Sequence, residues 1–429
     1  LGPFADTINI AYNDGAAAQN ATRDIQGTGG APAVLTVGGP SPFDFGTAAV
    51  GSTSNTALLT ITNGGALPAA SIADGAGLAA PFSYVGATYP GTAGTCAATL
   101  GAGASCTIEV AWVPSSVGLE SDVVIINYDD GATGQILNHT IQGTGANPAT
   151  ITITEADPYD YGPITENATD NHIFTLTNTG DVSATTIAEI GLAAPYDFTG
   201  GSFPGSGGTC TATLSGSSAT CTLDIEFAPT STGLLADTIS VQYNNGVSVV
   251  TSDRDVQGTG LAAAFLVISD GPGNFDFTTV PTGSTNSKTF TINNTGASQA
   301  VAMAGSGLAA PFQFAGGSYP GGGTCGATLN AGANCTIIVE YSPIAVNVDN
   351  DTMLLDYNDG AAAQQSTRGL DGTAVAPALL TITESDPYNY GTLAVGATAN
   401  RVFTITNTGT FQASVMVESG IAAPHQYVG

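Results

Sequence analysis

Basic residues are almost missing from this chain: Lys288 and four arginines stand against 34 Asp and Glu in 429 residues, for a formal charge of -29. Such a balance repels nucleic-acid phosphates and anionic lipid headgroups, so neither is expected as a partner. A single lysine also excludes a Lys-Asn isopeptide bond in every repeat. No uninterrupted apolar run reaches 18 residues, so no membrane-spanning helix is expected within the chain. No signal peptide is visible at Leu1, and any targeting or anchoring segment is expected to lie outside this sequence. Charged residues make up only 9%, too few for the polar faces of surface helices, and no helical period is found.

Present instead is a ruler. The pairs Cys96 and Cys106, Cys210 and Cys221, and Cys325 and Cys335 recur about every 115 residues. Gln26-Gly-Thr-Gly, Gln142-Gly-Thr-Gly, Gln257-Gly-Thr-Gly and Asp371-Gly-Thr-Ala keep the same period. A fixed period of this size signals an array of equivalent units. The ruler divides the chain into 1–30, the C-terminal part of a unit; three whole units at 31–145, 146–260 and 261–374; and 375–429, the N-terminal part of another. Both partial ends lack the cysteines, so the sequence reads as a stretch of a longer array.

Six cysteines permit 15 connectivities, but repetition favours pairing within each unit, and locally paired cysteines fit an oxidising, extracellular or cell-surface compartment. Zinc is disfavoured because no repeated His or second Cys pair completes four ligands. Each pair encloses a Gly-rich turn between strand-like flanks and is expected to join neighbouring strands.

Within a unit, short alternating segments such as Ala149-Thr-Ile-Thr-Ile-Thr154 and Ala236-Asp-Thr-Ile-Ser-Val-Gln-Tyr243 read as half-buried antiparallel strands, seven to nine per unit. The expected fold is all-β, a tandem of β-sandwich modules. Short junctions such as Ala146-Asn-Pro-Ala149 predict a semi-rigid, elongated rod.

Asp14-Gly15, Asp130-Gly131, Asn245-Gly246 and Asp359-Gly360 read as two-residue hairpin turns. Pairing about them sets Asp6 opposite Arg23, Asp122 opposite His139, Asp237 opposite Arg254 and Asp351 opposite Arg368, four cross-strand ion pairs of structural rather than catalytic character. A second basic column, His172, Lys288 and Arg401, precedes Phe174, Phe290 and Phe403 by two residues, and His425 shares the column of Phe82, Tyr196 and Phe312. No histidine is left as a singular catalytic candidate. Trp112, Phe227 and Tyr341 form a core-packing column. The pairs Phe43 and Phe45, Tyr159 and Tyr161, Phe275 and Phe277, and Tyr388 and Tyr390 read as core or sheet-face residues. The Tyr89, Phe203 and Tyr319 Pro-Gly loops read as packed loops, with glycan contact as the alternative. Glu155, Asp157 and Asp160, echoed by Glu384, Asp386 and Asn389, read as turn chemistry ahead of calcium ligation. Sequons at Asn20, Asn138, Asn167, Asn293, Asn334 and Asn350 permit glycosylation in a host that performs it.

The run Phe290-Thr-Ile-Asn-Asn-Thr-Gly296, the run Cys335-Thr-Ile-Ile-Val-Glu-Tyr-Ser-Pro343 and the terminal Gly-Thr-Gly resemble bacterial choice-of-anchor-D repeats of the Abnormal-spindle/Hydin-like immunoglobulin-like domains. The resemblance implies an immunoglobulin-like sandwich, often secreted or surface-anchored, with no shared active site. The expected function is an extracellular structural repeat protein forming or extending a filament, stalk or surface layer. It would act through self-association or neighbouring modules, without enzymatic activity or cofactor. The alternative is a multivalent adhesin for glycans or another cell-surface ligand.

Overall fold

The structure, a computed structural model, describes residues 2–428. Strands and connecting turns make up the described chain, with one 3-10 turn at Ala315–Gly317 and no α-helix. The residues group into two compact units. The first holds Leu1–Asp160, Asn171–Glu226 and Ala236–Val256, and the second Tyr161–Asp170, Phe227–Leu235 and Gln257–Gly429.

A hairpin of β1 (Gly2–Asn13) and β2 (Ala18–Gly29) comes first. The repeat at 31–145 follows with β3 (Leu35–Val37), β4 (Phe43–Ala49), β5 (Asn55–Asn63), β6 (Ala70–Asp74), β7 (Phe82–Tyr84), β8 (Ser105–Trp112), β9 (Gly118–Asp129) and β10 (Gly134–Ala146). One sheet is ordered β3-β5-β8-β7 and the other β4-β10-β9-β6, with β4 parallel to β10. Four strands face four, and the repeat's first segment is split between the sheets as β3 and β4. The repeat is therefore an immunoglobulin-like sandwich.

The same order recurs. The middle repeat has β11 (Ile151–Ile153), β12 (Tyr159–Thr165), β13 (Asp170–Asn178), β14 (Ala184–Glu189), β15 (Tyr196–Phe198), β16 (Thr213–Leu214), β17 (Ala219–Phe227), β18 (Gly233–Asn244) and β19 (Val249–Leu261), in sheets β11-β13-β17-β15 and β12-β19-β18-β14-β16. The third has β20 (Leu266–Ile268), β21 (Phe275–Pro281), β22 (Asn286–Asn294), β23 (Val301–Ser306), β24 (Phe312–Phe314), β25 (Asn334–Tyr341), β26 (Val348–Asn358) and β27 (Ala363–Val375), in sheets β20-β22-β25-β24 and β21-β27-β26-β23. The last segment forms β28 (Leu380–Ile382) and β29 (Ile405–Asn407).

Alternation places one face of every long strand inside. Leu59, Ile61, Ile108, Val110, Trp112, Val124, Ile126 and Ile141 close the first core, and Phe290, Ile292, Ile337, Val339, Tyr341, Met353, Leu355 and Leu370 the third. Trp112, Phe227 and Tyr341 are each fully buried, as expected of a packing column. In the β1-β2 hairpin, Ile8, Ile10, Tyr12 and Ile25 hold the places of Val124, Ile126, Tyr128 and Ile141 but are exposed.

The hairpin register corrects the expected ion pairs. Asp6 lies opposite Ile25 and Arg23 opposite Ile8. Asp122 faces Ile141 while His139 faces Val124, and Asp351 faces Leu370 while Arg368 faces Met353. Each turn is centred one residue later than Asp-Gly. Gly15 (φ +94°) is the first of two central residues, and Asp14 accepts the Ala16 and Ala17 N–H groups at 2.8 and 2.7 Å. A glycine-first turn suits a two-residue hairpin as well as Asp-Gly does. The aspartate's value as a side-chain acceptor moves it to the flank.

The Gly-Thr-Gly ruler has a packing cause. A Cβ on Gly143, Gly258 or Gly372 would come within 2.7, 2.5 or 2.6 Å of the ring of Trp112, Phe227 or Tyr341. The aromatic column lies flat on the last strand, and only hydrogen fits beneath it.

Candidate functional site

The side chains singled out by sequence are gathered by the fold into recurring polar locks. The aspartate column does not meet the basic column directly. Asp122, Asp237 and Asp351 instead accept the N–H groups of Ala79, Ala193 and Ala309 at 2.8, 2.8 and 2.7 Å, fastening the Leu-Ala-Ala-Pro loop to the last hairpin. The basic residues reach the other way. Arg254 pairs with Asp157 at 3.4 Å and donates to the Ile153 carbonyl at 2.5 Å. Arg368 donates to the carbonyls of Gly271 and of Asp270, the latter at 2.6 Å.

His139 holds the same column in the first repeat and is 4% exposed, with its Nε2 buried and unbonded. Burial alone holds its pKa below the ordinary 6.5. A depressed histidine is protonated first in the unfolded chain, so stability is full above about 6.5 and falls as pH drops below it toward the folded value. Trp112, the only tryptophan, reports this repeat alone. Its unfolding curve is expected to shift to lower denaturant from pH 7 to pH 5, and His139→Gln to remove that shift. An identical shift in the variant would discard the assignment.

The second basic column lies over aromatics. His172 stacks on Tyr159 with ring centroids 4.1 Å apart and meets its hydroxyl through Nδ1 at 2.8 Å. Lys288 sits 4.7 Å from the Phe275 centroid and 3.1 Å from Asp270, and Arg401 lies 5.2 Å from Tyr388. The four aromatic pairs thus serve as partners for cations or for one another, with Tyr161 and Phe277 buried in the core. The Pro-Gly loop aromatics pack edge-on against the preceding strand, Tyr89 on Tyr84, Phe203 on Phe198 and Tyr319 on Phe314. Glu155 accepts the Thr175 N–H at 2.8 Å, and Asp157 is engaged with Arg254. Among the described residues, no three His, Cys, Asp or Glu side chains are grouped to hold a metal ion.

The cysteines are joined as Cys96–Cys106, Cys210–Cys221 and Cys325–Cys335, each with Cα atoms 4.8 Å apart. Only the second member of each pair lies in the strand facing β5 or its counterpart; Cys96 sits on a loop held by the Thr107 carbonyl. That loop crosses to the other sheet, where Leu100 and Ala69 exchange hydrogen bonds at 2.9 Å, as Leu329 and Ala300 do at 2.9 and 3.0 Å. The cystine therefore ties a cross-sheet strap rather than two regular strands. Reduction is expected to cost each complete repeat roughly 3 kcal/mol on the chain-entropy account. Faster proteolysis at residues 91–104 and their counterparts would show it, and unchanged cleavage after verified reduction would refute it.

Two locks were not anticipated. Asn63, fully buried at the end of β5, donates through Nδ2 to the carbonyls of Leu67, Leu100 and Gly101 at 2.9, 3.1 and 3.2 Å and accepts the Val34 and Gly65 N–H groups. Asn178 and Asn294 repeat this. The second couples the aromatic column to a residue eight positions on. Trp112 Nε1 donates to Glu120 at 2.8 Å, and the Tyr341 hydroxyl to Asp349 at 2.7 Å. Phe227, without a polar tip, is followed at the same distance by Leu235.

No family model matches the chain, and no curated protein matches it. Among solved structures it is similar to the I67–I69 I-band fragment of titin, at 9% identity over 80% of this chain and 99% of that one with a TM-score of 0.26. It is similar also to the ICAM-5 D1–D4 ectodomain fragment, at 10% identity over 82% and 80% with a TM-score of 0.24. The ASH / PapD-like domain 7 of human CEP192 matches at 14% identity over 27% of this chain and 88% of that one, with a TM-score of 0.21. At such scores these likenesses say nothing of function.

The repeats also touch at their ends, in the same way twice. In the first unit, Gly246 of the β18-β19 turn lies against Ala49 at the end of β4, close enough that an added Cβ would sit 3.0 Å away, and Val247 reaches Gly51. In the second, Thr165 at the end of β12 bonds Ser298 at 2.8 Å, and a Cβ on Gly360 of the β26-β27 turn would strike its hydroxyl at 2.5 Å. One repeat's parallel strand thus ends on the next repeat's last hairpin.

Proposed function

We propose that this chain is an extracellular structural repeat protein that forms or extends a filament, stalk or surface layer, and that its repeats are of the choice-of-anchor-D kind. The observation carrying the reading is the recurrent seam, Ala49 on Gly246 and Thr165 on Ser298 and Gly360. Contacts repeated at equivalent positions join neighbours by close packing rather than by a free linker. Three disulfides support an oxidising, extracellular setting. The reading assigns no catalysis: His139 and His172, like the arginines, have construction partners or positions in repeated columns. Electron microscopy of the full chain over a concentration series tests it. Ordered contacts between chains are expected, and particles that stay single and freely jointed at every concentration would refute it.

A further inference from the structure

Arg368 is a buried cation with no countercharge beside it, a costly arrangement. It is 6% exposed, yet among the described residues no ion pair joins it to a carboxylate. Its counterpart Arg254 has Asp157 at 3.4 Å. In the third repeat Pro272-Gly273-Asn274 replaces Asp157-Pro158 ahead of the aromatic, and the loop's one acid, Asp270, is taken by Lys288 at 3.1 Å. Where the middle repeat brings a carboxylate to its arginine, this one has glycine.

At that place lies an open groove of about 510 Å³ between β20, the Gly271–Asn274 loop and β27. Arg368 is the one charged residue lining it, and no carboxylate does, in a chain of net charge -29. Phe265 at its mouth is 62% exposed, an aromatic in a column otherwise held by Val34, Thr150 and Leu379. The Asn274 and Gln365 amides complete the lining, tethered to Asp371 at 3.0 Å and Asp356 at 2.7 Å. A flat aromatic flanked by amides suits the C–H face and hydroxyls of a sugar ring. An extended peptide is less well served, because the β20 edge is already used: Leu266 N–H meets Tyr357 Oη at 3.4 Å and its carbonyl accepts Ser366 Oγ at 2.7 Å.

We propose that this groove binds a carboxylated saccharide, a uronic-acid unit whose carboxylate offsets the Arg368 charge and whose ring lies on Phe265. The site is independent of whether the chain assembles. Titration calorimetry of the full chain with trigalacturonate, in about 0.15 M salt where screening limits repulsion from the acidic surface, is expected to give saturable binding at one site. Carboxyl-reduced trisaccharide is expected to bind at least about tenfold more weakly. Two variants import the middle repeat's residues: Phe265→Thr with Gln365→Thr, both exposed positions, and replacement of residues 270–274 by Glu-Ala-Asp-Pro, which brings a carboxylate to Arg368. Each is expected to weaken binding at least about tenfold, with hydrogen exchange of the third-repeat core unchanged in the first. The proposal is overturned by absence of saturable binding at millimolar ligand, equal binding of the reduced sugar, undiminished binding by the Phe265/Gln365 variant, or tighter binding of triglutamate than of trigalacturonate.

Discussion

Asn294→Ala is expected to destabilise the third repeat by on the order of 4 kcal/mol, because the lost amide serves four backbone groups at once. Its Nδ2 holds the Ser298 and Leu329 carbonyls at 2.9 and 3.0 Å, and its Oδ1 takes the Phe265 and Gly296 N–H groups at 3.2 and 3.1 Å. At 1% exposure, water cannot replace it without opening the sandwich end. Asn294→Asp is expected to do no better, since a carboxylate would face two carbonyls. Hydrogen exchange read on peptides of β20 to β27 separates this repeat from the others. A loss below about 1 kcal/mol would mean the lock is ornamental.

Glu120→Leu is expected to cost the first repeat about 3 kcal/mol by stranding buried donors. Glu120 is 9% exposed and accepts from Trp112, from the Ser115 hydroxyl at 2.7 Å and from the Ser116 N–H and hydroxyl at 2.9 Å. The double variant Trp112→Phe with Glu120→Leu reproduces the Phe227 and Leu235 combination and is expected to lose less than the sum of the single changes, by about 1 to 2 kcal/mol. Additive losses would break the link between the two columns. The same carboxylate sets an acid limit. Burial raises its pKa, but the bonds from Ser115, Trp112 and Ser116 outweigh burial and hold it below the ordinary 4.5. A depressed carboxylate contributes fully above the unfolded value, and that stability drains as pH falls through the folded one. Glu120→Gln should therefore flatten the acid limb of the Trp112 fluorescence transition.

Strand content and the buried aromatic column were legible because alternation and period need only residue types. The strand order itself came with the structure, β4 running parallel to β10 being invisible to a local pattern. The ion pairs failed for a local reason. Asp14-Gly15 marks a turn correctly, but whether the aspartate is a central residue or a flanking acceptor depends on which N–H groups its carboxylate meets. A shift of two in register keeps every side chain on its expected face while changing every opposite partner. The buried asparagines were in plain view, with Asn63, Asn178 and Asn294 each two residues before Gly, a spacing the exposed Asn407 shares. Sequence does not distinguish an asparagine inside a sandwich end from one in an exposed turn. The Trp112 and Glu120 lock required reading two columns together, since either alone looks like ordinary variation.

Neighbouring sandwiches in one chain are near copies, and near copies are prone to trade hairpins while folding. Here such an exchange carries a chemical penalty. Were the hairpin that starts at Gly233 to dock in place of the one that starts at Gly118, the Trp112 indole N–H would be buried against Leu235. The reverse trade would bury Glu120 against Phe227. Three different pairs, Trp with Glu, Phe with Leu and Tyr with Asp, give each repeat its own key, so the array's regularity in shape is matched by a deliberate irregularity in what each core will accept.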